Sequence, residues 1–507
     1  MGLRVRIGRM PTAKARFEAA VHILRSLREG GHEAFLAGGC VRDLLLGREP
    51  EDFDVATSAT PDVVLGMFPR TFAVGAHFGV VLVASAENAD TGSSGESGPD
   101  ESRYATTEVA TFRSDGVYSD GRHPDEVRYT KTAAEDVQRR DFTINGLLLD
   151  PLRGGGPLDE SQVDLKALRA GVVDYVGGLA DLDARVIRAI GRPERRFEED
   201  QLRLLRGVRF AARFEFEIEP ATFAAMRKLA PRIQAVSCER VRDELTKMLT
   251  EGRARRAFEL LDETGLLKQV LPEIAKMKGV EQPPQFHPEG DVWTHTLMLL
   301  ERLEAGCPMT LAWGALLHDV GKPPTFRVAP DRIRFDGHVE VGVAMGAEIC
   351  RRFRFSNDET RQILALIENH MKFADAPRMK ESTLKRFLRL DRFDEHLALH
   401  RLDCLAAHGI LDTWEFVREK HESMPSEAVR PAPLVTGREL IAEGYAPGRR
   451  FKEMLHAVED AQLEGAIATA EEALALVRER FGKAPEAVGP PESQTDKGPP
   501  PSPPHTL

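Results

Sequence analysis

Ala37-Gly38-Gly39-Cys40-Val41-Arg42-Asp43-Leu44-Leu45-Leu46-Gly47, followed shortly by Asp52-Phe53-Asp54, is the stretch on which the fold of this chain turns. The apolar run Ala34-Phe35-Leu36-Ala37 leads into it and predicts a strand, while residues 41–46 predict a helix, so the glycine pair occupies a strand-to-helix turn. Bare backbone amides at such a turn can cradle phosphates, and Arg42 lies within the first helical turn. A glycine pair alone is an ordinary turn. The aspartates that follow make the reading specific. On a strand, side chains at i and i+2 share one face, so the Asp52 and Asp54 carboxylates can reach one cation. Mg²⁺ takes one or two carboxylates together with substrate phosphate oxygens. Two such charges repel unless a metal or a basic group joins them. Phosphate-cradling glycines close in sequence to a carboxylate pair predict a nucleotidyl-transfer site.

Outward from this stretch, residues 12–29 carry Phe17, Ala20, Val21, Leu24 and Leu27 at helical spacing. Short β-like runs follow at 34–37, 53–56, 79–84 and 108–112. Between the last two lies 87–103, Gly/Ser-rich, acidic and without apolar period, which reads as a disordered, solvated insertion. The mixture predicts an α+β domain over 1–155. From about residue 160 the pattern is helical, punctuated by Arg192-Pro193, Glu219-Pro220, Ala230-Pro231 and Leu271-Pro272. We expect a helical neck and body at 156–280, a histidine-rich helical domain at 281–425 and a last helical part at 426–483. The tail, 484–507, holds eight of the chain's 32 prolines and is expected to be disordered.

At 507 residues the chain is too long for one hydrophobic core, and roughly 150 residues per domain predicts three or four. With 42% hydrophobic and 29% charged residues it can bury sizeable cores. The five cysteines (40, 238, 307, 350 and 404) stand singly, which argues against a disulfide framework or a zinc ribbon. Arg4, Arg6 and Arg9 precede no apolar segment, and no run is long enough to span a membrane, so a cytoplasmic protein without a membrane partner is expected. A net charge of −11 speaks against a blanket nucleic-acid binder. Locally the balance reverses. Between Arg185 and Phe214, nine arginines face four acids, a surplus that suits phosphates.

These motifs resemble those of bacterial CCA-adding tRNA nucleotidyltransferases and their poly(A) polymerase relatives, and further matches come in family order. Arg139-Arg140-Asp141-Phe142-Thr143-Ile144-Asn145 resembles the ribose-contacting motif, and Gly177-Gly178-Leu179-Ala180-Asp181-Leu182 the neck-entry motif. Glu199-Asp200-Gln201-Leu202-Arg203, with Arg206 and Arg209, resembles the base-reading motif, and Glu239-Arg240-Val241-Arg242-Asp243-Glu244-Leu245 its supporting helix. The resemblance implies a small polymerase-β-like head, an all-helical neck and body, and a C-terminal helical part that contacts tRNA. It implies addition of CCA to tRNA 3′ ends from CTP and ATP, with no DNA partner. Asp52 and Asp54 would be catalytic and bind Mg²⁺, with Glu108 a third acidic candidate. Gly38, Gly39, Arg42, Arg140, Asp141, Asp200, Arg203, Arg206 and Arg209 would bind the nucleotide. Residues 113–122 resemble the loop that helps the site change from C to A.

Base reading also has a physical basis. Asp200 and Arg203, read as i and i+3 of one helix, are predicted neighbours offering an acceptor beside a forked donor. Cytosine and adenine each pair an exocyclic amino donor with a ring-nitrogen acceptor and match that edge. Uracil and guanine present the reverse polarity and would leave buried groups unpaired.

Residues 286–408 hold eight of the 15 histidines. His295, His318-Asp319 and Asp403 resemble the ligand series of HD-type phosphohydrolases, and His338 and His370 stand where two-metal members place extra ligands. Imidazole and carboxylate suit first-row divalent metals, so a transition metal is expected there. Hydrolysis of RNA 3′-end phosphates would accompany such a site. Two rival readings remain: poly(A) or partial CC-only or A-only addition, and a metal-dependent phosphohydrolase whose transferase domain only holds RNA. Intact Asp52, Asp54 and Arg140 argue against the second.

Overall fold

The computed structural model describes residues 12–72, 79–85, 105–115, 127–153, 165–285, 287 and 290–482. The expected insertion at 87–103, most of the loop at 113–122 and the tail from 484 lie outside the described residues.

The head begins with α1 (Ala13–Glu29), whose Ala20, Ile23, Leu24 and Leu27 are buried. β1 (Ala34–Ala37) runs into α2 (Gly39–Leu45), then come β2 (Val55–Thr57), α3 (Pro61–Met67) and β3 (Thr71–Phe72). β4 (Val80–Ser85) and β5 (Ala105–Thr111) form the longest pairing, and β6 (Arg113–Asp115) pairs with β7 (Val127–Tyr129). After α4 (Ala133–Gln138), β8 (Leu148–Leu149), α5 (Leu165–Ala170) and β9 (Val172–Val173) close the domain. The main sheet has the order β3-β4-β5-β2-β1-β8-β9. Its central pairs are antiparallel at β1–β2 and parallel at β2–β5. Ala37, Ala56, Phe112, Val137 and Leu148 form a core beneath it. This is the mixed head that the strand-and-helix pattern predicts.

Helices then take over: α6 (Gly178–Ala184), α7 (Pro193–Glu199), α8 (Leu202–Phe214), α9 (Pro220–Leu229) and α10 (Cys238–Thr250). Between these helices lie β10 (Val186–Ile187) and β11 (Glu217–Ile218), a two-residue parallel pair flanking α7 and α8. α8 is buried almost all round, because α10 covers one of its faces and the helix Ala254–Glu263 packs against it too. Helices Val292–Glu301, Met309–Leu317 and His338–Arg352 follow, and the fully buried Trp313 of the second donates to Thr246 Oγ1 at 2.9 Å and packs against Phe353 and Phe355.

Contacts divide the chain into two compact units, Met1–Glu368 with Leu405–His408, and Asn369–Cys404 with Gly409–Leu507. The second unit is helical and holds two clusters, one around Phe373, Phe387 and Phe393, the other around Leu440, Met454 and Val477. Arg386 reaches Glu459 at 2.6 Å and also holds Asp460, tying the first cluster's helix to the second's within that unit. Thr436 with Glu439 and Thr469 with Glu472 close capping boxes, reciprocal bonds that satisfy otherwise orphaned N-terminal amides. No helix among the described residues is long and apolar enough to cross a membrane.

Candidate active site

Gly38 has φ +74°, a conformation side chains avoid, and a Cβ there would stand 3.0 Å from Arg140 Nη1. Only glycine lets β1 turn this sharply into α2 beneath that arginine. Ala37 N–H donates to Asp54 O at 3.0 Å, so the β1–β2 ladder continues one step before β2. The alternation therefore holds across the aspartates: Phe53 is buried, 5.4 Å from the Phe17 ring, while Asp52 and Asp54 turn to the other side. The parallel register Val55–Val109 sets Glu108 beside Asp54. Burial pushes the Asp54 carboxyl up to about 6, with the charges of Glu108 and Asp52 adding and Arg140 opposing. Cys40, in the turn itself, is pushed up to about 12 by burial, with Asp54 adding, and stays a thiol.

One cleft of about 510 Å³ gathers Gly38, Gly39, Arg42, Asp52, Asp54, Arg140, Asp141, Asp200, Arg203, Arg206 and Arg209. All the nucleotide-site candidates from the sequence thus line a single cavity. Their pairing is more elaborate than their spacing suggests. Arg42 is buried; its Nε and Nη2 donate to Asp43 and its Nη1 to Asn145 Oδ1 at 2.6 Å, with the Phe210 and Phe214 rings against it. Asp136 holds both Arg139 at 2.7 Å and Arg140 at 3.0 Å. Asp141 accepts from Arg206 at 2.8 Å, from Asn145 at 3.0 Å and from the Phe142 N–H. Burial alone would raise the Asp141 carboxyl, but Arg206, Asn145 and Arg203 together outweigh it and hold the group well below the usual carboxylate range.

The base-reading pair differs from its expectation in one respect. Asp200 and Arg203 do not share a helix. Asp200 ends α7 in an extended conformation (φ −146°), and α8 starts two residues later. The Asp200 carboxylate receives the Leu202 N–H at 3.1 Å and a two-point contact from Arg240, Nη1 to Oδ1 at 3.2 Å and Nη2 to Oδ2 at 2.9 Å. Arg203 donates to Glu199 at 3.0 Å and to the Arg139 carbonyl at 2.9 Å. Each partner is therefore fixed by its own set of neighbours, Asp200 before the start of α8 and Arg203 within it. Along α8 the pattern repeats: Arg209 is held by Glu244 at 2.7 Å and by Glu251, which also takes Arg213 at 3.2 Å.

Among the described residues, the carboxylates of the cleft wall without an ion pair are Glu51, Asp52 and Asp54. An exposed and a half-buried carboxylate on the same cleft wall, whose charge no side chain neutralises by contact, fit a divalent cation with oxygen ligands. Sequence spacing did not single out Asp136, Asn145, Lys247 or Glu251. The i, i+3, i+7 spacing of Glu244, Lys247 and Glu251, matching Arg206, Arg209 and Arg213 on α8, is the signal that could have found the last two.

A second group of candidates meets in the first unit. The ligand atoms of His295, His318 and Asp319 lie within 4.8 Å of one another, and all three residues are buried. His318 Nε2 is 3.2 Å from Asp319 Oδ2, and His338 Nε2 is 4.0 Å from Asp319 Oδ1. His318 Nδ1 faces the Ala315 carbonyl at 2.9 Å and His338 Nδ1 the Phe335 carbonyl at 3.0 Å. A carbonyl can only accept, so both rings carry hydrogen on Nδ1 and turn Nε2 inward, the arrangement of metal-binding histidines. Lys322 pairs with Asp319 at 2.7 Å and donates to Gln282 Oε1 at 2.7 Å. His370 and Asp403 belong to the second unit, His370 opening a 3₁₀ turn and Asp403 within the helix Phe393–Ala406.

The glycine turn after β1 and the carboxylate pair before β2 thus sit at the central strands of the mixed sheet and share one cleft with the arginines of α8. The model of the poly A polymerase head domain matches residues 34–188, that of the probable RNA- and SrmB-binding site of polymerase A residues 215–278, and that of the HD domain residues 291–407. The chain is 36% identical over 289 residues to the CCA-adding enzyme of Lactobacillus johnsonii, a match covering 56% of this chain and 64% of that one. It is 39% identical over 262 residues to the CCA-adding enzyme of Levilactobacillus brevis, covering 52% and 57%. The chain thus spans less than two thirds of the length of these curated relatives. The crystal structure of the Bacillus stearothermophilus CCA-adding enzyme in complex with CTP superimposes with a TM-score of 0.65 at 26% identity, covering 92% of this chain and 98% of that one.

Proposed function

We propose that this protein is a template-independent nucleotidyltransferase that completes tRNA 3′ ends with CCA, using CTP and ATP. The observation that carries the reading is the meeting, in one cleft, of the Gly38-Gly39 turn, the Asp52/Asp54 pair and the braced Asp200 and Arg203. Its similarity to proteins named CCA-adding enzyme supports it. Asp52 and Asp54 would hold Mg²⁺, which when bound supplies charge neutralisation at the attacked phosphate and lowers the pKa of a coordinated hydroxyl. The chain's own residues do the rest. The Gly38-Gly39 turn brings backbone close to the triphosphate, and Arg140, steadied by Asp136, covers it. The primer's 3′-hydroxyl attacks the α-phosphate and pyrophosphate leaves. Asp200 accepts from the base's amino group while Arg203 donates to its ring nitrogen, a polarity that only C and A satisfy. Arg206 and Arg209 border the same cleft and keep its wall cationic.

The histidine–aspartate cluster is read as a divalent transition-metal site acting on phosphates at RNA ends. A cytoplasmic location fits an enzyme with this substrate. The test is extension of three tRNA transcripts, ending before CCA, after C and after CC, with Mg²⁺ and each nucleotide separately. CC from CTP and a single A from ATP, then a stop, is the expected result. Long A-tails would make it a poly(A) polymerase, and CC alone or A alone a partial enzyme. No addition would overturn the reading and move the weight to the histidine cluster.

A further inference from the structure

Seven arginines line the cleft, and each is held by a carboxylate of the chain itself. The eighth lining cation is Lys247, and it has no anionic partner among the described residues. Its position makes this unexpected. On α10 it stands between Glu244 and Glu251, three residues after one and four before the other, where either could pair with it along the helix. Neither does. Glu244 is taken by Arg209, and Glu251 by Arg209 and Arg213. The arginines of α8 thereby occupy both carboxylates, Asp243 at i−4 is held by Arg242, and the Lys247 side chain remains exposed on the cleft wall.

We propose that Lys247 contacts a phosphate of the bound substrate, making it a binding residue of the transfer site. A lysine ammonium is a compact point charge on a flexible stem, suited to a phosphate that arrives from solution rather than to a fixed planar partner. The proposal rests on the nucleotidyl-transfer reading of the cleft. Two sources supply that chemistry: the triphosphate of the incoming nucleotide and the backbone of the RNA acceptor end.

Lys247→Met and Lys247→Arg in the full chain separate them. CTP binding is measured by calorimetry, tRNA binding by filter retention across a salt series, and KM for both from primer extension. We expect Lys247→Met to weaken binding of one ligand by roughly three- to tenfold, with kcat within about twofold and with recovery in Lys247→Arg. If the phosphate is the RNA's, the slope of log affinity against log salt falls by about 0.7 to 0.9, the loss of one phosphate contact. If it is the nucleotide's, only CTP affinity and its KM change. Unchanged affinity for both ligands and an unchanged slope overturn the proposal. So does a fall in thermal midpoint that explains the loss and that Lys247→Arg fails to restore. The binding measurements need no turnover, so a wild-type protein that binds without transferring would sink the transfer reading while still testing Lys247.

Discussion

Arg240→Met will cost base selectivity without costing RNA affinity. Arg240, itself not a lining residue of the cleft, grips both oxygens of Asp200, at 3.2 and 2.9 Å. With methionine the carboxylate keeps only the Leu202 N–H at 3.1 Å and is free to rotate. A hydrogen bond to a charged group contributes about 1.5–3 kcal/mol when its geometry is fixed. Loss of that fixed geometry on one of the two reading groups removes about 1.5–3 kcal/mol of discrimination, a factor of roughly 10 to 150. The assay is single-nucleotide extension of a tRNA transcript ending before CCA, comparing kcat/KM for CTP with that for UTP. The ratio should fall by at least tenfold, while tRNA affinity stays within about threefold. Arg240→Lys, a single-point contact, should fall between. An unchanged CTP/UTP ratio in Arg240→Met would refute the argument that bracing from α10 sets base choice.

Asp54→Asn should abolish transfer, read in the same extension assay, and yet stabilise the metal-free protein. An acid raised from 3.8 to about 6 on folding is favoured folded at low pH and becomes a burden as pH rises through 6. At pH 8 with chelator the variant should therefore gain up to about 3 kcal/mol, seen as a higher thermal midpoint, and below pH 4 nothing. A midpoint that does not rise at pH 8 would remove the argument that burial, with the charges of Glu108 and Asp52, penalises the ionised carboxylate. Gly38→Ala meets both a φ of +74° and the Arg140 guanidinium at 3.0 Å, so kcat/KM for CTP should fall by at least tenfold. Unaltered kinetics would mean that the turn tolerates a side chain. His318→Ala should lose hydrolysis of a 2′,3′-cyclic phosphate RNA end, followed by product chromatography, while CCA extension stays within about twofold. Equal loss of both activities would contradict two separate sites.

The strand-to-helix turn and the carboxylate pair were legible because their signals are local. Ala34–Ala37 is apolar, the glycines follow at once, and Asp52-Phe53-Asp54 shows a two-residue period. The break between α7 and α8 was not. No glycine or proline marks it, and Asp200 and Arg203 read as i and i+3 of one helix. Asp200 ends the first helix by turning its carboxylate to the Leu202 N–H and to Arg240, forty residues away. The arginine surplus was visible and its disposition was not, since the acids that hold it come from distant segments: Asp141 for Arg206, Glu244 and Glu251 for Arg209. Composition reports a surplus of charge. Only the packing of α10 on α8 tells which charges remain for a ligand.

That packing has a thermodynamic consequence. A free arginine carries roughly 2 kcal/mol of rotamer entropy, which a ligand must overcome if it is to order the side chain. In this cleft Arg203, Arg206 and Arg209 are ordered beforehand by Glu199, Asp141 and Glu244. On the proposed function, a nucleotide would meet a surface whose side-chain freedom was already surrendered when the protein folded, so that binding would stay selective for ligands as small as a single CTP or ATP. With the same stiffness, an exchange of one base for the other under that proposal would have to come from movement of whole segments around the wall, because the wall itself has little slack to give.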